Sequence, residues 1–259
     1  MQFSWDIFTQ HLFEPSSFFL HGLWLTLSIS AISQSIGTAL GVAGALGTQS
    51  RFRGVRIVVA FYIWLFRGTP LLVQIVFVYT ALAAANIFRF QDMDLGFVVI
   101  PGNIQAGIFA LSLNEGAYMT EIVRAGILSI DHGQTEAAKS LGMTYFKLMR
   151  RIILPQAARV IIPPLGNEFN AMLKNTTLLS VIGVPEMMQV TETQISATFR
   201  SFELLSVIAL YYLTLTTLWG FAQRALDRRF GEAKGSRAQN ESMVGRLRRL
   251  LMPSRDVLR

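Results

Sequence analysis

Arg67, Glu115, Glu121 and Lys174 are charged residues inside otherwise apolar stretches of this sequence. A charge at the centre of a bilayer costs about 2.5 to 3.5 kcal/mol on insertion scales, so each needs a partner or a wet route. Arg67 is followed by Gly68, Thr69 and Pro70, with Gln74 beyond. Gly and Pro break helical hydrogen bonding, which only a protein-lined or wet cavity tolerates at membrane depth. Its guanidinium suits a carboxylate, either of a solute or of a structural ion pair. Asn114, Tyr118, Glu121 and Ala125 fall on one helical stripe. A carboxylate there suits an amino group or cationic side chain, although Glu121 and Arg124, three apart, are also placed to pair with each other. Lys174, followed by Asn175, Thr176 and Thr177, either lines the same route or pairs with Glu115 or Glu121. Charges of both signs along one route suit a zwitterion, and the residues do not choose among cationic, anionic and amide-bearing ones.

Other chemistries find little support. Cysteine is absent, and the three histidines, His11, His21 and His132, are scattered, so we assign no metal. No Gly-x-x-x-x-Gly-Lys-Ser/Thr stretch occurs to cradle nucleotide phosphates. An enzyme using Glu115 or Glu121 as acid or base would lack a recognisable nucleophile or metal constellation. The net charge of +7 does not form a patch interleaved with stacking aromatics, so nucleic acid is not an expected partner.

The elements that must position these residues are membrane helices. With 52% hydrophobic and 15% charged residues in 259, there is too little polar surface to cover a soluble domain, and lipid must cover part of the chain. Five segments are long and apolar enough to cross about 30 Å of hydrocarbon, near 18–46, 57–85, 104–123, 160–184 and 204–222. Of 23 Lys and Arg, three lie at 51–56, six at 124–159 and ten after Gln223. The positive-inside rule puts those connections in the cytoplasm, the amino terminus outside and the carboxyl terminus inside. The first twenty residues contain no Lys or Arg, the wrong pattern for a cleaved signal peptide, so the amino terminus reads as mature. Thr26, Ser30, Ser33, Gly37, Gly41 and Gly44 make a stripe of small residues that must face another helix, in this chain or a second copy. The expected all-α architecture is an external segment 1–17, one transmembrane domain 18–229 and a basic cytoplasmic tail 230–259. Within that tail, 243–251 alternates Leu and Arg, as a piece lying on an anionic leaflet would, or as a solvated tail.

The connection between the third and fourth segments is the most informative. From Asp131 the chain reads Asp-His-Gly-Gln-Thr-Glu-Ala-Ala-Lys-Ser-Leu-Gly. Asp131 can cap a helix and Gln134 can complete a box-like cap. Gly142 can end it through a left-handed turn. A second helix begins at Thr144 and runs until Pro155 interrupts it. The product is two short helices about a glycine turn. Consecutive alanines leave a helix face with almost no bulk, able to sink into a partner's groove, and Glu136 beside them offers a charge to a basic residue.

The run Glu136, Ala137, Ala138, Leu141, Gly142, Ile152, Leu154 and Pro155 resembles the EAA loop of permease subunits of binding-protein-dependent ABC importers. Arg67 to Gln74, Ala117 to Arg124 and Leu173 to Leu178 resemble its polar amino acid branch, and the likeness covers about residues 18–229. Asn175 and Thr177 stand where members often have Asp and Ser. The resemblance implies a non-catalytic subunit in a bacterial cytoplasmic membrane, working as a homodimer or beside a similar permease. Glu136, Ala137, Ala138, Leu141 and Gly142 would couple it to ATP-binding subunits, which hold the ATP and Mg; this chain would hold no cofactor. An external solute-binding protein would deliver the amino acid. Arg67, Thr69, Gln74, Glu115, Tyr118, Glu121, Lys174, Asn175, Thr176 and Thr177 are the candidate path. An ion-coupled secondary transporter is the rival, but it would normally show two related halves.

Overall fold

A computed structural model of the chain describes residues 3–96 and 98–230. The expected tail, including 243–251, lies outside the described residues. In order, the helices are α1 (Trp5–Phe13), α2 (Ser17–Thr48), α3 (Arg53–Gly68), α4 (Leu71–Val76) and α5 (Leu82–Ala84), the last two joined by a wide π-type turn at Phe77–Ala81. A two-residue antiparallel ribbon, β1 (Met93–Asp94) with β2 (Val99–Ile100), leads into α6 (Gly102–Leu128). Then come α7 (His132–Ser140), α8 (Tyr145–Leu148), a second wide turn (Met149–Ile153) and α9 (Leu154–Asn175). A tight 3-10 stretch (Thr176–Ile182) precedes α10 (Met187–Thr198) and α11 (Ser201–Phe230). The ribbon, α1 and α10 were not expected from the sequence.

The α2 and α11 helices are each long and apolar enough to cross a membrane, and α3 with Leu71–Ala84 forms a third such unit bent by 108°. At 27 and 22 residues, α6 and α9 have the length to cross but carry their polar residues along the way.

The central packing is the seam between α2 and α6. All six residues of the small stripe, Thr26 to Gly44, are buried. A Cβ at Gly37 would meet the Glu115 side chain, one at Gly41 would meet Met119, and one at Gly44 would meet Thr120. The stripe therefore serves packing within the chain, because only glycine lets the two backbones approach this closely. Outward of this seam, Ile29, Ile75, Leu111, Leu179 and Val184 form one core cluster. Inward, Met119, Val123, Ala138, Leu148, Ile153 and Ala157 form another, which fastens α7 and α8 beneath α6 and α9.

The bend between α3 and α4 has an identifiable cause. Pro70 has no N–H and starts α4, so the carbonyls at the end of α3 lose their helical donors. Gln74 Nε2 donates to the carbonyls of Phe66 at 2.8 Å and Thr69 at 3.1 Å and to Thr69 Oγ1 at 2.8 Å. Asn114 Nδ2, from α6, donates to Phe66 O at 3.1 Å and to Gln74 Oε1 at 3.0 Å. A helix break at membrane depth thus keeps its backbone groups satisfied.

Candidate functional site

The residues expected to act fall in two regions: the polar face beside the bend, and the short helices α7 and α8. At the end of α3, where the helix dipole favours a cation, the Arg67 guanidinium lies 5.2 Å from the centre of the Tyr118 ring on α6. One turn further along α6, Glu121 pairs with Arg124 through contacts of 2.7 and 3.3 Å. The charge of Arg67 acts on Glu121 and on Glu168 of α9, and Glu168 acts in turn on Glu115. Arg67, Tyr118 and Glu121 thus share one side of α3 and α6, with Arg67 and Tyr118 exposed, and Glu168 of α9 lies within electrostatic reach of Arg67.

Sequence reasoning missed Glu168. Its signal was present: an acidic residue two positions after Gly166 and four after Pro164, inside an otherwise apolar stretch. Pro163 and Pro164 lie within α9, and α11 braces that part of it. Trp219 Nε1 donates to Gly166 O at 2.8 Å, and Gln223 Nε2 donates to Pro163 O at 3.3 Å and to Asn167 Oδ1 at 2.9 Å.

The other path candidates are placed differently. Glu115 is 4% exposed, held in the α2–α6 seam by Gln34 Nε2 at 2.7 Å. Gln74 is buried and Thr69 exposed, and both work in the bend. Lys174 is exposed and makes no ion pair among the described residues, so of its two expected readings the bridge to Glu115 or Glu121 does not form. Six residues beyond Glu168 on one helix, it lies roughly 9 Å from it along the axis, toward the carboxyl end of α9. Thr177 Oγ1 turns back to Lys174 O at 2.7 Å, Thr176 is fully buried with Oγ1 on Leu173 O at 2.9 Å, and Asn175 is half-buried.

A second unforeseen carboxylate is Glu186, which is completely buried at the cap of α10. Its Oε1 accepts from Gln189 N at 2.9 Å, and its Oε2 accepts from Tyr212 OH at 3.1 Å and Thr26 Oγ1 at 3.4 Å. Helix dipole and hydroxyls stand in for a cation, tying α2, α10 and α11 together.

The lower region follows the expected outline with three corrections. Asp131 caps α7, its Oδ1 accepting from Gly133 N at 2.6 Å, and Gly142 takes the left-handed turn at φ +70°. The cap is one-sided, since Gln134 bonds back only through its backbone N–H, to Asp131 O. Pro155 does not interrupt the second helix. The preceding wide turn at Met149–Ile153 shifts the hydrogen-bond register, so the helix passes into α9 with Pro155 in its first turn, where no N–H is needed. The alanines do not form one bare face either: Ala137 is exposed, whereas Ala138 is 2% exposed and packs in the inner core. What protrudes is bulkier. Leu141, Tyr145 and Phe146 are 82%, 63% and 70% exposed, beside the exposed Glu136. The sequence signal was the pair Tyr145-Phe146 directly after the Gly142 turn, too short a run for its outer face to be read.

Known proteins share this arrangement. A crystal structure described as an amino acid ABC transporter with histidines matches with a TM-score of 0.77 and 36% identity, covering 88% of this chain and all of that one. The arginine transport system permease protein ArgU of Corynebacterium glutamicum is 37% identical over 245 residues, spanning 90% of this chain and 73% of that protein. ArtQ of Bacillus subtilis, also an arginine transport system permease protein, is 38% identical over 212 residues, 82% of this chain and 92% of that one. Residues 37–232 match the family described as binding-protein-dependent transport system inner membrane component. With three-quarters of its length in that match, from the small stripe through the Gly142 turn to α11, the chain belongs to the family of inner-membrane components of binding-protein-dependent transport systems.

Proposed function

We propose that this chain is the permease of an ATP-driven amino acid importer, moving a polar or charged amino acid to the cytoplasm by alternating access. Five crossings are formed by α2, the bent α3–α4 unit, α6, α9 and α11, with the amino terminus outside and the carboxyl terminus inside. The observation that carries this reading is the protruding surface of Leu141, Tyr145, Phe146 and Glu136, fixed to the inner core through Ala138 and Leu148. An exposed aromatic knob on a rigid helix pair fits a groove on a separate protein, which we take to be an ATP-binding subunit. Closure of two such subunits would tilt α7 and α8 and, through the shared core, α6 and α9.

The face of Arg67, Tyr118, Glu121 and Glu168 supplies a cation and two carboxylates, one already neutralised by Arg124. Arg67 matches an α-carboxylate and Glu168 an α-amino or cationic group. A second permease copy, or a similar permease, completes the pathway, an external binding protein delivers the solute, and ATP with Mg is bound by the partner subunits. The test is an uptake competition panel in proteoliposomes of the assembled complex. At least one of arginine, glutamine and glutamate should suppress labelled uptake at micromolar concentration. No competition by any of the twenty amino acids would overturn the reading.

A further inference from the structure

Between the inner halves of α3 and α6, next to the end of α2, lies a groove of about 600 Å³ that adjoins the polar face at the Glu121–Arg124 pair and continues away from it along α3. Its wall is apolar, formed by Ala60, Ile63, Trp64 and Leu128, and its rim carries Arg56, Arg124 and Glu121, the carboxylate paired with Arg124 so that the rim keeps a net positive charge. Arg56 bonds within the chain through Nη1 alone, to Ser50 O at 2.7 Å and Arg51 O at 3.4 Å, leaving its other N–H groups for a further acceptor. Arg124 meets Glu121 through Nε and Nη2, so its Nη1 is also available. Arg51 and Arg53 stand just outside the groove and keep this end of the molecule positive beyond the Glu121–Arg124 pair.

An apolar slot beneath a cationic rim is the wrong lining for a small zwitterion and the right one for an amphiphile with an anionic head. We propose that this groove binds an anionic phospholipid of the inner leaflet, its phosphate on Arg56 and Arg124 and one acyl chain along Ala60, Ile63, Trp64 and Leu128. The location depends on the orientation proposed above; the chemistry of the groove does not. Guanidinium groups match phosphate oxygens in a planar fork. The exposed Trp64 ring gives the chain a flat wall.

The assembled transporter, purified from nanodiscs of phosphatidylcholine and phosphatidylglycerol at four to one, tests this by native mass spectrometry of retained lipid. The wild-type complex should keep phosphatidylglycerol in preference to phosphatidylcholine, and Arg56→Gln should lower that preference by about fivefold. Ala60→Trp fills the slot without changing charge and should release the lipid equally, which separates the groove from basic residues elsewhere. Unchanged phosphatidylglycerol retention in both variants would overturn the proposal. So would disulfide formation between Trp64→Cys positions of two permease copies, which would mean that a second copy covers the groove. Neither ATP nor solute enters the measurement, so its failure leaves the transport reading standing.

Discussion

Asn114 of α6 donates its amide to Gln74 of α4 at 3.0 Å, and the pair closes a hydrogen-bond cluster over the broken end of α3. The cluster holds Arg67 at the bend, because Phe66 O is bonded from both side chains. Gln74→Leu leaves the Asn114 amide and Asn114→Leu leaves the Gln74 Oε1 short of a partner, each at a cost of about 1 to 3 kcal/mol, while Phe66 O keeps one donor in either variant. Either variant should lower the thermal unfolding temperature of the detergent-purified complex and reduce uptake at least tenfold. An unchanged melting temperature together with full uptake in both would remove the cluster from the account.

The α2–α6 seam makes a sharper contrast. Gly41→Ala forces a Cβ onto Met119 backbone and side-chain atoms, whereas Gly54→Ala meets nothing within 4 Å. The first should destabilise by about 1 to 3 kcal/mol, as overpacking does, and the second by a few tenths at most. Thermal unfolding of the two side by side checks the prediction, and equal melting temperatures would contradict it.

Which parts of this were legible beforehand follows from the range of the interactions. The stripe from Thr26 to Gly44 was readable because helical periodicity is local, as was the Gly142 turn, where a left-handed residue follows a capped helix. Gln74 was not, since its partners Phe66 O and Asn114 become neighbours only once the helix bends and α6 packs on it. Glu186 was not singled out from the sequence, because its partners Thr26 and Tyr212 lie 160 and 26 residues away and meet it only in the folded chain. Lys174 was expected to find a carboxylate or to line a route because an isolated cation in hydrocarbon is costly; sequence spacing could not choose between them, and no carboxylate pairs with it among the described residues. The alanine pair misled for a simpler reason. Helix formers say nothing about which side faces the core, and Ala138 faces it.

Arg67→Ala on the polar face and Lys174→Ala further along α9 should each impair uptake about tenfold or more while leaving the ATP-binding subunits attached. Arg67 also has a stabilising contact with Tyr118, worth about 0.5 to 2 kcal/mol, so Arg67→Lys should restore part of the stability but less of the uptake. Uptake assays paired with co-purification read both. Wild-type uptake by both alanine variants would take these residues off the route.

The lower surface gives a distinct phenotype. Glu136→Lys and Phe146→Asp alter exposed positions, so the protein should still insert and unfold near the wild-type temperature, whereas Gly142→Asp also strains the left-handed turn by about 1 kcal/mol and should insert with a slightly lower unfolding temperature. Solute-stimulated ATP hydrolysis should fall at least tenfold, with Phe146→Asp also weakening recovery of the ATP-binding subunit. Stimulated hydrolysis and co-purification at wild-type levels in all three would show that the motor engages some other surface.

The most direct measurement compares two sets of vesicles. In one the chain is reconstituted with its ATP-binding subunits, ATP inside and the binding protein outside; in the other it stands alone under an imposed proton or sodium gradient. Concentrative amino acid uptake in the first set and none in the second is the predicted result. Accumulation by the chain alone, driven by the ion gradient, would contradict the account.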